Sequence, residues 1–124
     1  MGTQPTAEDM ELISAFIELP IVLSIIESNI AKVNEGFRMH EVFRANLVNL
    51  QSEITNDLRD VRAGMRRRGI KIVEEIRKGD RVGVQYLCRG YLRDFQILHT
   101  HLKNKTETRL AGYLKIRVED IVRD

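Results

Sequence analysis

The sequence predicts a mainly α-helical protein, an elongated antiparallel three-helix bundle with a β-hairpin inserted between the second and third helices. Three observations predict this fold class. Apolar residues recur every three or four positions over most of the 124-residue chain, which is the spacing of a helix with one buried face. The stretch from residue 38 to residue 68 contains no proline. Between two helical stretches, β-branched residues flank Gly79 and Asp80, a recognised hairpin signal.

The composition predicts one globular domain over residues 1–124. Hydrophobic residues make up 43% of the chain and charged residues 31%, which is ordinary for such domains. The single cysteine, Cys88, excludes an intramolecular disulfide and fits a reducing compartment, so we expect a cytoplasmic protein. The apolar run over residues 12–26 contains Glu18 and Pro20 and is shorter than the roughly 20 residues that span a bilayer. We therefore expect no membrane span.

The first helix is predicted from about residue 7 to residue 34. Thr6 can cap its start, with Asp9 three residues later as in a capping box, and Gly36 supplies a stop after its end. Pro20 lies inside this stretch, where it either kinks one helix or separates two. The apolar register continues through Pro20, which favours one kinked helix.

The second helix is predicted from about residue 38 to residue 68. Its apolar residues return to one face at steps of three and four positions, and Gly69 ends it. A helix of this span is roughly 45 Å long, so it can form the spine of a small domain. The apolar face consists of Phe43, Leu47, Leu50, Ile54, Leu58, Val61 and Met65.

Two interpretations are open for the segment that follows. It can form a short helix ending at Gly79, or the first strand of a hairpin over about residues 71–88 that turns at Gly79 and Asp80. The many β-branched residues favour the hairpin. The cross-strand pairs predicted for it are Val73 with Tyr86, Ile72 with Leu87, Glu74 with Gln85, and Ile76 with Gly83.

The third helix is predicted from about residue 90 to residue 114. Apolar residues step by four, three and four positions from Tyr91 through Phe95 and Leu98 to Leu102. Residues 104–106 are polar and form its weakest point. For the tail over residues 115–124, a strand and a frayed end both remain open.

No set of residues fills the roles of an active site or a metal site. His99 and His101 are two positions apart and project in opposite directions from a helix, while His40 lies on another element. A Cys88 nucleophile would need a neighbouring base that the sequence does not place. No phosphate-binding glycine loop is present. We therefore predict a non-enzymatic protein with no catalytic residue, metal ion or cofactor.

Charge is distributed unevenly along the chain. Residues 1–36 hold one lysine against six acidic residues, a net charge of −5, whereas residues 59–93 hold eleven basic residues against four acidic ones, a net charge of +7. Clustered basic side chains are what binding to a phosphate backbone requires. One hypothesis is therefore DNA or RNA binding through the basic segment 59–93. The residues predicted to contact phosphate are Arg59, Arg62, Arg66, Arg67, Arg68, Lys71, Arg77, Lys78 and Arg81.

The favoured hypothesis is association, because the first helix has two apolar stripes. A helix in a small bundle normally buries one stripe, and a second exposed stripe would leave an adhesive surface. A second copy of the chain is the simplest cover for it. We therefore predict a small intracellular protein that acts as a homodimer or binds a protein partner. The residues predicted for self-association are Ile13, Ile17, Ile21, Ile25 and Leu23.

Overall fold

The structure, a computed structural model that describes residues 4–123, consists of three α-helices and a three-stranded antiparallel sheet in the order β1-β2-β3. Residues 1–3 and Asp124, which the predicted domain and tail include, lie outside the described residues. The elements in chain order are α1 (Ala7–Lys32), α2 (His40–Arg67), β1 (Ile70–Lys78), β2 (Arg81–Cys88), β3 (Tyr91–Leu98), α3 (His99–Tyr113) and a short 3₁₀ helix (Val118–Asp120).

The predicted three-helix bundle is wrong, because Tyr91–Leu98 forms a third strand where the third helix was expected to begin. The predicted hairpin between the second and third helices is present, and β3 extends it into a sheet. Arg89 and Gly90 both have positive φ angles, 51° and 90°, and form a two-residue turn that returns the chain beside β2. α3 is therefore shorter than predicted and begins at His99.

The β1–β2 register agrees with the predicted one only near the turn. Glu74 pairs with Gln85 and Ile76 with Gly83, as predicted. A bulge between Ile72 and Glu74 then shifts the register, and Ile72 lies opposite Tyr86 instead of Leu87. Since side chains alternate between the two faces of a strand, the bulge turns Ile72 toward the buried face of the sheet. The predicted register would have turned Lys71 inward.

α1 is one continuous helix through Pro20, and its start is fixed by a capping box. The Asp9 N–H donates to the Thr6 hydroxyl at 3.1 Å, and the Thr6 N–H donates to the Asp9 carboxylate at 2.8 Å. α2 runs antiparallel to α1. The Gln51 side chain donates to Glu27 at 3.1 Å near one end of this helical hairpin, and Leu12 packs beside Gly64 near the other.

α1 lies at the centre of the core and is covered on several sides. One side packs against the sheet, where Ile13 and Ile17 contact the cluster that contains Val82 and Val84. Another side packs against α2, with α1 contributing Ala15, Leu19, Val22 and Ile26, and α2 contributing Leu50, Ile54 and Leu58. α3 joins both clusters, through Leu102 in the first and through Leu110 and Tyr113 at the edge of the second.

The segment after α3 turns back along that helix. Lys115 adopts a left-handed conformation, with φ of 59°, and the Ile116 N–H donates to the Ala111 carbonyl at 2.8 Å. Arg123 then forms an ion pair with Glu107 of α3. Among the described residues, no helix combines the length and the apolar character that crossing a membrane requires.

The central position of α1 makes Ile13 a sensitive test of the fold. We expect Ile13→Ala to lower the free energy of unfolding by about 2–5 kcal/mol, because it leaves a cavity between α1 and the sheet. Urea unfolding measures this loss. Val73→Ala, at the exposed bulge of β1, is the control and should change it by less than about 0.5 kcal/mol. Equal effects of the two variants would contradict the packing described.

Candidate interaction surfaces

Asp9, at the start of α1, is fully buried and holds three elements together. Its carboxylate accepts hydrogen bonds from Arg89 at 2.8 Å and from Arg68 at 3.3 Å. Arg68 also forms an ion pair with Glu8, and Arg89 donates to the Arg68 carbonyl at 3.0 Å. The hydrogen bond from Arg89 holds the pKa of Asp9 well below its usual range, although burial acts in the opposite direction. The start of α1 is thereby tied to the end of α2 and to the β2–β3 turn.

Glu18, in the middle of α1, is the second buried carboxylate and ties α3 to α1. It accepts a hydrogen bond from Arg109 at 2.5 Å and forms an ion pair with Lys105 at 3.3 Å. Arg109 also pairs with Glu11 at 2.7 Å. Four of the six acidic residues in segment 1–36 are therefore paired with basic residues that follow α1: Glu8, Asp9, Glu11 and Glu18.

A Ser–Lys pair beside Glu18 has the composition of a nucleophile and a base. The Lys105 ammonium donates to the Ser14 hydroxyl at 3.2 Å, and Ser14 is buried. Because Lys105 is also the cation of the ion pair with Glu18, it acts here as a hydrogen-bond donor. This arrangement stabilises the α1–α3 contact.

The other candidate chemical groups are separated from one another. Cys88 is fully buried, with its sulfur 4.0 Å from the Asp9 carboxylate. His99 and His101 are exposed at the start of α3, and His40 begins α2. Within residues 4–123, no three histidine, cysteine, aspartate or glutamate side chains are arranged to hold a metal ion.

The structure divides the residues predicted to contact phosphate into three groups. Arg68 belongs to the Asp9 network. Arg77, Lys78 and Arg81 lie at the β1–β2 turn, where Arg77 pairs with Glu75 and Arg81 with Asp80. The remaining five form what we call the basic end, the last third of α2 and the start of β1; these are Arg59, Arg62, Arg66, Arg67 and Lys71. Lys71 and Lys78 are seven positions apart on β1, a distance of roughly 23 Å along an extended strand.

The residues predicted for self-association are also divided. The sheet of the same chain covers Ile13 and Ile17, which are buried in the core. Ile21, Leu23 and Ile25 are only partly buried. Any contact that a second copy makes through these residues is thus restricted to the exposed parts of Ile21, Leu23 and Ile25.

A further group of exposed apolar side chains, which the sequence pattern did not indicate, lies between α1 and α2 and at the start of α2. Four side chains at the free end of the α1–α2 hairpin form what we call the apolar cap, and they are 50–74% exposed: Phe37, Met39, Val42 and Phe43. The Arg44 side chain bonds to the Val33 carbonyl, just after α1 ends. Residues of α2 before Arg44 therefore extend beyond α1. Phe43 follows the apolar period of α2, yet its side chain is 55% exposed.

Most of the chain is similar to a known protein family. A model of a protein family, described as YhjD protein, matches residues 4–118, which include the helical hairpin, the sheet and α3. No curated protein and no solved structure matches the chain significantly. The family description names no activity, ligand or partner.

The Asp9 network should make the protein sensitive to acid. Because the folded pKa of Asp9 lies below the unfolded value of about 3.9, its contribution to stability is complete above that value and is lost as the pH falls toward the folded pKa. We expect Asp9→Asn to lower the free energy of unfolding at neutral pH by about 1–3 kcal/mol. The variant should then lose less stability than the unaltered protein on acidification to about pH 3.

Urea unfolding at both pH values measures these differences. Glu8→Gln is the matched control, because Glu8 contacts Arg68 but is exposed. It should behave like the unaltered protein. Identical acid sensitivity of the unaltered protein and Asp9→Asn would show that the carboxylate does not carry this stabilisation.

Proposed function

The chain belongs to the YhjD protein family, and we propose that it is a non-enzymatic association protein, a homodimer held together through the apolar cap. The observation that carries this proposal is the exposure of the cap, where four large apolar side chains within seven residues are each at least half exposed. Exposed apolar patches of this kind mark interaction surfaces in soluble proteins. The free thiol of Cys88 supports a reducing compartment, and we place the protein in the cytoplasm.

The charges around the cap favour a second copy of the chain as the partner. Two acidic residues, Glu35 and Glu41, and two basic residues, Arg38 and Arg44, lie within or beside it. Two caps can therefore meet without net charge repulsion. A two-fold axis brings the same surface of both copies together, so a patch that carries both signs can be complementary to itself.

The position of the basic end supports the same arrangement. α2 has 28 residues and is about 42 Å long, with the cap at its start and most of the basic end in its last third. Contact between two caps keeps the two basic ends far apart, well beyond the screening length of about 8 Å at physiological salt. Contact through the last third of α2 would instead bring arginines of the two copies together.

We expect the unaltered protein at micromolar concentration to scatter light as a dimer. The double variant Val42→Glu, Phe43→Glu should be a monomer, because it places four charges in the contact between two copies. Both side chains are exposed, so the fold should persist. Val122→Glu is the matched control at a position that is 89% exposed elsewhere, and it should remain a dimer. A monomeric unaltered protein, or a dimeric double variant, would contradict the proposal.

A second candidate function is nucleic-acid binding through the basic end. The observation in its favour is that none of the ion pairs found among residues 4–123 involves these five side chains. Clustered cations of this kind can replace the counterions of a phosphate backbone. The cap-to-cap dimer would present one basic end at each extremity.

We expect a triple variant, Arg62→Gln, Arg66→Gln, Arg67→Gln, to weaken binding to generic duplex DNA or single-stranded RNA about equally across sequences. It should also reduce the dependence of binding on salt. Fluorescence anisotropy at several salt concentrations measures both effects. The matched control, Arg77→Gln, Lys78→Gln, Arg81→Gln, removes the same number of charges at the β1–β2 turn and should have a smaller effect. Absence of binding by the unaltered protein in low salt would reject this function.

A further inference from the structure

The free edge of the sheet at β3 presents a regular row of backbone groups. β3 pairs with β2 in one continuous register, with no bulge and no proline. The two-residue turn between the strands closes with a hydrogen bond from the Tyr91 N–H to the Cys88 carbonyl, and residues of β3 then face β2 and the free edge alternately. The residues whose N–H and C=O groups point to the free edge are Leu92, Asp94, Gln96 and Leu98.

This edge is accessible to another strand. Among residues 4–123, no hydrogen bond joins another element to the outward backbone groups of these four residues. A groove of about 500 Å³ lies beside the second half of β3, between that strand and residues of α1 and α3. Leu92 and Leu98, near the two ends of the edge, are 63% and 40% exposed.

β1, at the opposite edge of the sheet, differs from β3 in both respects that normally prevent strand addition. A bulge between Ile72 and Glu74 interrupts β1, and five of its nine side chains are charged. β3 is not interrupted, and only Arg93 and Asp94 are charged among its eight residues. A new strand therefore meets fewer obstacles at β3 than at β1.

The side chains along the β3 edge are complementary to the same side chains in reverse order. Leu92, Asp94, Gln96 and Leu98 point to the same face of the sheet, because alternate residues of a strand share a face. If a second β3 runs antiparallel with Phe95 opposite its copy, leucine meets leucine, and each aspartate meets a glutamine that can donate to it. A register centred on Asp94 would place two aspartates opposite each other, and one centred on Gln96 would place Asp94 opposite Leu98.

We propose that two copies of the chain pair along β3, antiparallel and in the register centred on Phe95, so that their sheets join into one of six strands. A two-fold axis at Phe95 brings the same edge of both copies together. The contact uses neither the apolar cap nor the basic end, and it would link cap-to-cap dimers into larger assemblies. It is smaller than the interfaces of stable dimers, which bury roughly 1,200–2,000 Å², so we expect a Kd of about 1 mM.

NMR of the full chain with Val42→Glu and Phe43→Glu tests this contact without the cap. If the caps do not associate, the unaltered protein should give the same results. On concentration from about 50 μM to about 1 mM, we expect hydrogen exchange of the Asp94 and Gln96 amides to slow about twofold, while the amides of β1 should not change.

The methyl groups of Leu92 and Leu98 test the register. They are roughly 20 Å apart along one strand, too far for an NOE within a chain. In the register centred on Phe95 they lie opposite each other in two chains. We therefore expect an NOE between them at about 1 mM that disappears on dilution.

Two substitutions of opposite charge at Gln96 test the complementarity. Gln96→Lys should lower the Kd about fivefold at low salt, because it places a cation opposite Asp94 of the other copy, and Gln96→Glu should raise it by a similar factor. Val73→Lys and Val73→Glu are the matched controls, since they make the same charge changes at the exposed bulge of β1. They should leave the Kd unchanged.

Three results would overturn the proposal. The first is amide exchange at β3 that does not depend on protein concentration up to about 1 mM. The second is concentration-dependent protection of β1 in place of β3, which would put the contact at the other edge. The third is an equal effect of Gln96→Lys and Gln96→Glu on the Kd, which would exclude the pairing of Asp94 with Gln96.

Discussion

The structure depends on the burial of α1, a helix that is apolar on most sides and also carries two buried carboxylates. A helix of this kind cannot be covered by one neighbour, so α2, the sheet and α3 each cover a different side. Burying Asp9 and Glu18 would be costly without cations, and arginines from three other parts of the chain supply them. These ion pairs fix where the end of α2, the β2–β3 turn and α3 sit around α1.

Two surface features lie where this cover is incomplete. α1 does not extend far enough to cover the first residues of α2. The apolar cap is therefore exposed at the tip of the helical hairpin. α1, α3 and β1 do not close completely on one another, which leaves a groove beside Ile21 and Ile25. The basic end differs from these two surfaces, because it consists of charged side chains that do not pair with the buried carboxylates Asp9 and Glu18. The apolar cap and this groove thus both lie at the edges of one packing arrangement.

The sequence predicted α1, α2 and the first hairpin because each has a strong local signal: a helical period, a cap, or the Gly79–Asp80 turn. β3 could not be predicted in this way. Tyr91, Phe95, Leu98 and Leu102 fit a helical period, while the alternation of Phe95 and Ile97 fits a strand equally well. Pairing with β2 decides between them, and that is a non-local interaction. For the same reason, the sequence could not show that the chain's own sheet, and not a second copy, covers Ile13 and Ile17.

The most direct test is to determine whether the residues that cover α1 belong to the same chain or to a second copy. A sample that mixes isotope-labelled and unlabelled protein allows NOEs within one chain to be separated from those between chains. We expect NOEs from the Ile13 and Ile17 methyl groups to those of Val82, Val84 and Ile97, and we expect all of them within one chain. NOEs that appear only between chains, or no NOEs between α1 and the sheet, would contradict the central claim that the chain encloses its own first helix.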